Sequence, residues 1–425
     1  MTDASAPATG QTPDTAPVVR GERIASLDFI RGLAVMGILV ANIVAFGQPF
    51  SAYLYPGLFV GETGDPDGWL WITQFVLIDG KMRGLFTLLF GAGLFLFMER
   101  AWARGQSRWL QVRRLLWLMA FGLMHYFLIW RGDILFLYSV AGLVAMLFLR
   151  WSARNQMVFG LLGYLGGALL YTVFFGPAYF IAETELREQP GFSEFAQGLD
   201  EGQEEDFAMM ERETDILTNG NYLDYVGYIW TEHAESLSFM LFLFMFETLP
   251  LMLIGMALYR FGLFSGGMDP GVQVRWGLSW LVVGLSASLL IALWVQSTGF
   301  SYWATISALT AFSALPALAT TLGLALLLGL WGQRVGGWLA ERVSAAGRAA
   351  FTNYLGTSVL MLLVFHPWAG GLWGELNRPQ LYLVVALTWA VMLLWSKPWL
   401  DRFRYGPLEW LWRCLTYWRQ FPLRR

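Results

Sequence analysis

The sequence is poor in cysteine, histidine and charge. Its 425 residues contain one cysteine, Cys414, and three histidines. A single cysteine excludes a disulfide framework within the chain, and the histidines are too far apart in sequence for a Cys/His metal motif, so we predict no bound metal. Charged residues make up 14% of the chain, against roughly 25% in soluble domains. The net charge of −3 argues against a nucleic-acid partner.

Long apolar runs take the place of the missing charge. Apolar residues make up 56% of the chain, and the mean hydropathy is +0.49. Uncharged runs such as 33–46 and 157–175 approach the roughly 20 residues that cross a hydrocarbon core. The sequence therefore predicts an all-α, polytopic helical membrane protein with about ten transmembrane helices. We place them at 27–47, 82–99, 113–130, 133–150, 156–179, 237–260, 276–296, 303–331, 349–368 and 379–399.

Arginine and lysine predict the orientation. If the N-terminus is cytoplasmic, the segments on the cytoplasmic side contain 22 of the 28 basic residues, and those on the opposite side contain six. The positive-inside rule favours this orientation. Both termini are therefore predicted to be cytoplasmic. We call the cytoplasmic side of this orientation inner and the opposite side outer.

Composition divides the chain into five parts. The first twenty residues lack the features of a secretory signal, and we expect a disordered cytoplasmic lead. An acidic segment separates two membrane bundles and is either a solvated connection or a lid over an outward-facing cavity. Asp79-Gly80-Lys81 interrupts a long apolar stretch, so residues 69–78 are expected to be interfacial or re-entrant. The parts are a lead at 1–20, an N-terminal bundle at 21–180, an acidic outer loop at 181–236, a C-terminal bundle at 237–400 and a basic, aromatic cytoplasmic tail at 401–425.

A layer of ionisable residues is predicted at the outer ends of the second, third and fourth spans. Such groups are costly in a membrane and are therefore candidates for function. A histidine beside a carboxylate can transfer protons, and a cation nearby can stabilise an oxyanion, which together suit acyl transfer to a hydroxyl or amine. The candidate catalytic residues are His125, Asp79, Asp133, Lys81 and Arg83.

Structural roles are open for the same residues. Asp79 and Asp133 are placed to cap helix N-termini, and the Arg83 and Arg131 side chains can extend to the membrane surface. His125 can simply hydrogen-bond a neighbouring helix. Glu247, well inside the sixth span, must be paired, protonated or part of a cavity wall.

Two inner segments are candidates for binding phosphate. The amides at the start of the ninth span, near Arg348 and Asn353, could hold a phosphate at a helix N-terminus. Arg402 and Arg404 begin an aromatic and basic tail, which could bind the same phosphates or lie as an amphipathic helix on anionic lipid.

Several motifs carry a family resemblance over nearly the whole chain after the first twenty residues. The chain resembles the YeiB-like family of bacterial inner-membrane proteins, a domain of unknown function. Its opening block also resembles transmembrane acyltransferases such as heparan-α-glucosaminide N-acetyltransferase. The motifs are RIASLDFIRG at 23–32, DGKMRGLF at 79–86, LFGAG at 89–93, GDIL at 132–135, GRAAFTNY at 347–354 and RFRYGPLEW at 402–410.

The acyltransferase resemblance implies transfer from cytoplasmic acyl-coenzyme A to a sugar or lipid acceptor across the membrane. Residues 48–78, where the heparan enzyme has its catalytic histidine, contain none, so His125 becomes the candidate. A small-metabolite transporter is the alternative class, since the YeiB-like family has also been considered in that role, and a membrane assembly factor is a third. The expected partners are the lipid bilayer and a small-molecule donor and acceptor. A homodimer is left open.

Overall fold

The computed structural model describes residues 24–425, so the predicted lead at 1–20 lies outside the described residues. Within this range the regular secondary structure is helical, and the one β-bridge is an isolated pair, Phe403 with Arg424. The all-α prediction is confirmed. The α-helices of this range are α1 Ala25–Gly47, α2 Trp69–Leu77, α3 Lys81–Ala103, α4 Trp109–Leu128, α5 Leu135–Ala145, α6 Ala153–Phe175, α7 Pro177–Ala182, α8 Ser193–Asn219, α9 Tyr222–Glu232, α10 Ser236–Arg260, α11 Pro270–Ser297, α12 Tyr302–Ser307, α13 Ala314–Trp331, α14 Trp338–Arg348, α15 Ala350–Phe365, α16 Arg378–Arg402 and α17 Pro407–Tyr417.

Seven helical stretches in the described range are long and apolar enough to cross a membrane, and the bent pair α14–α15 makes an eighth if it counts as one span. Ten spans therefore remain a prediction. The two predicted spans at 113–130 and 133–150 correspond to α4 and α5. Early in α4 lie Gln111, Arg113 and Arg114, and the apolar helix that contains α5 ends at Phe148, after fewer than 18 residues.

Lipid-facing surfaces identify the protein as a membrane protein. In the spans formed by α6, α11 and α16, between 22% and 28% of the most apolar window is buried by the rest of the chain. Their exposed positions include Leu169, Val282 and Leu387, each at least 60% exposed. Exposure of such continuous apolar faces is unfavourable in water and favourable in the hydrocarbon core of a bilayer.

The interruption predicted at Asp79-Gly80-Lys81 separates α2 from α3. Gly80 has a φ of +74°, which favours glycine, and α3 begins at the next residue. Together α2 and α3 form a single 35-residue candidate span, Trp69–Ala103. The interfacial or re-entrant position of 69–78 stays a prediction.

Helices α3 and α10 pack closely through a pair of glycines. A side-chain carbon at Gly91 would lie 2.1 Å from the carbonyl oxygen of Met252, and one at Gly255 would lie 1.9 Å from that of Leu88. Each glycine therefore allows the other helix's backbone to approach, as small residues do between membrane helices. This contact fixes the wall on which the candidate site is built.

The acidic segment 181–236 folds into helices that contact the outer ends of the spans. A carboxylate oxygen of Glu183 accepts a hydrogen bond from the Trp303 amide at 2.7 Å, and the Tyr302 hydroxyl donates to Asp206. Within the segment, α9 begins with a capping box formed by Asn221 and Asp224. Part of the acidic charge thus makes specific bonds to the bundle instead of remaining solvated.

Candidate functional site

A cavity of about 230 Å³ lies between the outer ends of the helices. Its walls come from α1, α3, α6 and α10, from the segments 50–54 and 130–134, and from the start of α5 and α13. Most of the wall is apolar, which leaves a few polar side chains to orient a ligand. The polar or ionisable lining residues include Asn42, Tyr53, Asp79, Arg83, Asp133, Tyr164, Tyr171 and Glu247.

His125 and Asp133 form a buried pair beside this outer cavity. The Nδ1 atom of His125, near the end of α4, lies 2.8 Å from Oδ1 of Asp133, and neither side chain has solvent exposure. The other carboxylate oxygen of Asp133 accepts the Phe136 amide of α5 at 2.7 Å. Asp133 therefore caps a helix and also orients the imidazole with Nδ1 as donor.

The second nitrogen of this imidazole is uncommitted. Nε2 of His125 is buried and has no hydrogen-bond partner among the described residues. Asp133 lines the cavity, whereas His125 lies behind it, with its ring 5.3 Å from the Tyr354 ring. Asp133 therefore connects the cavity wall to an imidazole with one unbonded nitrogen, and a pair of this kind can transfer protons.

Asp79 lines the outer cavity but is held by other groups. Its carboxylate accepts a hydrogen bond from Nε2 of Gln74 at 3.0 Å, and Gln74 accepts one from the Tyr382 hydroxyl at 2.6 Å. Burial and the neighbouring Asp79 carboxylate raise the pKa of the Tyr53 phenol, so Tyr53 keeps its proton at neutral pH. Of the two candidate catalytic carboxylates, Asp133 contacts His125 and Asp79 contacts Gln74 of α2.

Lys81 does not line the outer cavity. Its side chain is fully buried, and Nζ donates to the backbone carbonyl of Phe75 at 2.5 Å, with the Phe75 ring 5.0 Å away. The lysine therefore fastens the start of α3 to α2. Lys81 is close enough to Asp79 for an electrostatic interaction, but it lies outside the wall of the outer cavity.

Arg83 and Glu247 form an ion pair across the cavity wall. Nη2 of Arg83 on α3 lies 2.7 Å from Oε2 of Glu247 on α10, and the guanidinium lies 4.4 Å from the Phe244 ring centre. Of the three states expected for Glu247, the structure shows a paired carboxylate in a cavity wall. The guanidinium of Arg83 thus places a positive charge in the cavity wall, where the Glu247 carboxylate pairs with it.

Arg131 belongs to a different cluster, which the sequence did not predict. Its Nη2 contacts both carboxylate oxygens of Glu213 at 2.9 Å, and its Nη1 lies 2.6 Å from Nε2 of His233. Burial and the Arg131 charge lower the pKa of His233 to about 3, so this imidazole is neutral and can accept from the guanidinium. The cluster ties α8 and α9 to the turn between α4 and α5.

The inner residues predicted to hold phosphate make other contacts. Asn353 is buried and bonds Ala346, Ser396 and Trp395. The Arg404 side chain donates to the carbonyl of residue 424, and the exposed Arg402 lines a shallow groove that also contains acidic residues. Arg348 is half-buried at the end of α14.

The amides at the start of α15 are bonded by a carboxylate of the chain itself. One oxygen of Glu409, in α17, accepts the amides of Phe351 and Thr352 at 2.8 and 3.1 Å, and the other accepts the Thr352 hydroxyl at 2.5 Å. Burial raises the pKa of Glu409. The helix N-terminus at which a phosphate was expected is therefore capped from within.

Comparison with known proteins gives full-length relatives. The chain is 31% identical over 410 residues to the uncharacterized protein YeiB of Escherichia coli strain K12, an alignment that covers 93% of this chain and 96% of that protein. The chain belongs to the YeiB-like family. Residues 258–419 also match the family described as a protein of unknown function, DUF418.

A second relative extends the YeiB-like family beyond Escherichia coli. The uncharacterized protein YxaH of Bacillus subtilis strain 168 is 28% identical over 435 residues, with 96% of this chain and 98% of that protein covered. The relatives named here come from bacteria and are described as uncharacterized, so the YeiB-like family does not itself identify a reaction. The function has to be argued from the site.

Proposed function

We propose that this membrane protein is an acyltransferase of the bacterial inner membrane. It would move an acyl group from cytoplasmic acyl-coenzyme A to a hydroxyl or amine of an outer sugar or lipid acceptor. The observation that supports this best is the His125–Asp133 pair, in which Asp133 lines a cavity in the outer part of the bundle and Nε2 of His125 has no hydrogen-bond partner among the described residues.

The proposed step is a proton-assisted transfer. Nε2 of His125 takes the proton of the acceptor hydroxyl as its oxygen attacks the thioester carbonyl, and the Asp133 carboxylate stabilises the imidazolium that forms. The carbon–oxygen bond forms as the carbon–sulfur bond breaks, and the proton passes to the leaving thiolate. Since Lys81 lies outside the cavity wall, stabilisation of the carbonyl oxygen falls to Arg83.

A transporter is the second candidate, and one observation favours it. The Arg83–Glu247 ion pair joins α3 to α10 in the cavity wall. Charged pairs of this kind inside a bundle also serve as binding or proton-relay sites in transporters.

Thiol release from acetyl-coenzyme A by the purified protein tests the acyltransferase. His125→Ala should lower turnover by about 10²–10⁴-fold, the usual contribution of a general base, and Asp133→Asn should lower it while the protein still folds. His366→Asn is the matched control, because His366 is also buried but contacts Tyr225 and Trp368 instead of the outer cavity. All variants should carry Cys414→Ser, so that no protein thiol reacts with the detection reagent.

Turnover retained in His125→Ala would exclude the proposed mechanism. If the unaltered protein releases no thiol but proteoliposomes take up a metabolite, and Glu247→Gln abolishes the uptake, the transporter replaces the enzyme.

A further inference from the structure

A second cavity, of about 220 Å³, lies at the inner end of α3. Its walls come from α1, α3, α4 and α17 and from the connection between α3 and α4. We call it the arginine cavity, because five of the described residues that line it are arginines and none of them is Asp or Glu. The arginines are Arg31, Arg100, Arg104, Arg114 and Arg413.

Aromatic rings hold two of these guanidinium groups. The Arg114 guanidinium lies 4.4 Å from the Trp412 ring centre and 4.5 Å from that of Phe97. That of Arg413 lies 4.6 Å from the Phe421 ring centre, and its Nε is buried without a hydrogen-bond partner. Stacking occupies the face of a guanidinium plane and leaves the N–H groups at its edge free to donate to a ligand.

The positive-inside rule alone does not explain why these arginines lie around one cavity. Among the described residues, Asp28 pairs with Arg31 at 3.1 Å, whereas no carboxylate forms an ion pair with Arg114 or Arg413, and the Nε of Arg413 is buried without a partner. The dipole of α3 favours cations at its inner end and accounts for Arg100 and Arg104, yet Arg31 and Arg413 come from other helices. The like charges of Arg114 and Arg413 share a partly buried space and repel each other unless an anion neutralises them.

We propose that the arginine cavity binds the phosphate groups of an anionic ligand. Arginine suits this role because its planar group bonds phosphate oxygens in pairs. The phosphates would belong either to a soluble nucleotide-type metabolite or to the headgroup of an anionic lipid. The inference does not depend on acyl transfer, since about 25 Å of α3 separates Arg83 from Arg100 at 1.5 Å per residue.

Gly93 offers an uncharged way to fill this cavity. A side-chain carbon at Gly93 would lie 3.9 Å from Nη2 of Arg31, which is ordinary contact. A leucine at this position would extend further into the cavity and compete with a ligand. Gly93→Leu thus blocks the site without changing its charge.

Calorimetric titration of pyrophosphate into the purified protein in phosphatidylcholine nanodiscs tests the proposal. Arg114→Gln and Arg413→Gln should each weaken binding about tenfold or more, because each removes a charged donor, and Gly93→Leu should weaken it as well. The matched control is Arg275→Gln, an exposed arginine of α11 outside the cavity, which should bind as the unaltered protein does. His125→Ala should also bind normally, which separates this result from failure of the acyltransferase.

Lipid composition identifies the source of the phosphate. If phosphatidylglycerol in the nanodiscs raises the melting temperature and competes with pyrophosphate, in a manner lost in Arg413→Gln, the ligand is a lipid headgroup. Pyrophosphate binding that phosphatidylglycerol leaves unchanged indicates a soluble metabolite. The proposal is overturned if the unaltered protein responds to neither probe, or if the glutamine variants and Gly93→Leu respond as Arg275→Gln does. If a glutamine variant fails to fold, Gly93→Leu and Arg413→Lys decide the question.

Discussion

At the scale of single residues, one carboxylate can both cap a helix and orient a histidine, two roles that the sequence presents as alternatives. Capping and orientation of His125 were both open for Asp133, and its two oxygens make both bonds. The pairing of His125 with Asp133 could be predicted from the sequence, because the two residues flank one short turn. Arg83 and Glu247 are 164 positions apart, and no local pattern could have joined them.

The same reasoning applies to the Arg131 cluster. Glu213 and His233 lie in the acidic segment, where the sequence suggested solvated charge or a lid. Their bonds to Arg131 depend on how α8 and α9 fold back onto the bundle, which composition does not specify.

Acid should destabilise the protein through His233. Its pKa falls from an ordinary 6.5 to about 3 in the folded protein, so between these values the unfolded chain binds a proton that the folded protein does not. The free energy of unfolding therefore decreases as the pH falls through this window, by about 1.4 kcal/mol per pH unit at the steepest. Melting temperatures of detergent-solubilised protein from pH 7.5 to 4 should decline more steeply for the unaltered protein than for His233→Asn. Parallel curves would assign the acid sensitivity to other groups.

At the scale of elements, ends that are set locally were predictable and ends that are set at a distance were not. The break between α2 and α3 follows from Asp79-Gly80 within the segment itself. The start of α15 was recognised too, but its cap, Glu409, comes from α17, 57 positions downstream. A free helix N-terminus and one capped by a distant carboxylate look the same in sequence.

Removing the Glu409 cap should weaken the attachment of α17 to α15. Glu409→Ala leaves the amides of Phe351 and Thr352 without their acceptor, which costs about 1–3 kcal/mol. The melting temperature should fall by several degrees, and Glu409→Gln should fall in between because it retains one acceptor oxygen. Glu211→Ala, at an exposed position of α8, is the control. Equal melting temperatures for Glu409→Ala and this control would contradict the role of the cap.

At the scale of the whole molecule, the all-α class was predictable, since it depends on apolar runs that no soluble fold needs. Packing was not, because the helices that meet are distant in sequence, as α1 and α14 are. Ten spans were predicted, whereas seven or eight helical stretches in the described range are long and apolar enough to cross a membrane, and the difference has a physical reason. Apolar helices that are short or carry early arginines, such as α4 and α5, resemble spans in a sequence window.

The orientation predicts which side a cysteine reagent reaches. In a Cys414→Ser background, Gly202→Cys on α8 should react with a membrane-impermeant maleimide in intact cells. Gly336→Cys, between α13 and α14, should react only after the membrane is opened. The two glycines are a matched pair, because a side-chain carbon at either would meet open space. The reverse pattern would invert the topology.

The paired glycines of α3 and α10 also limit how the bundle can move. Rotation of α10 about its own axis would replace Gly255 at this contact by a residue with a side chain, where a carbon atom would lie only 1.9 Å from the carbonyl oxygen of Leu88. Sliding along the axis meets the same obstacle within one helical turn. We therefore expect the two helices to move together as one body, with conformational change in the segments that surround them.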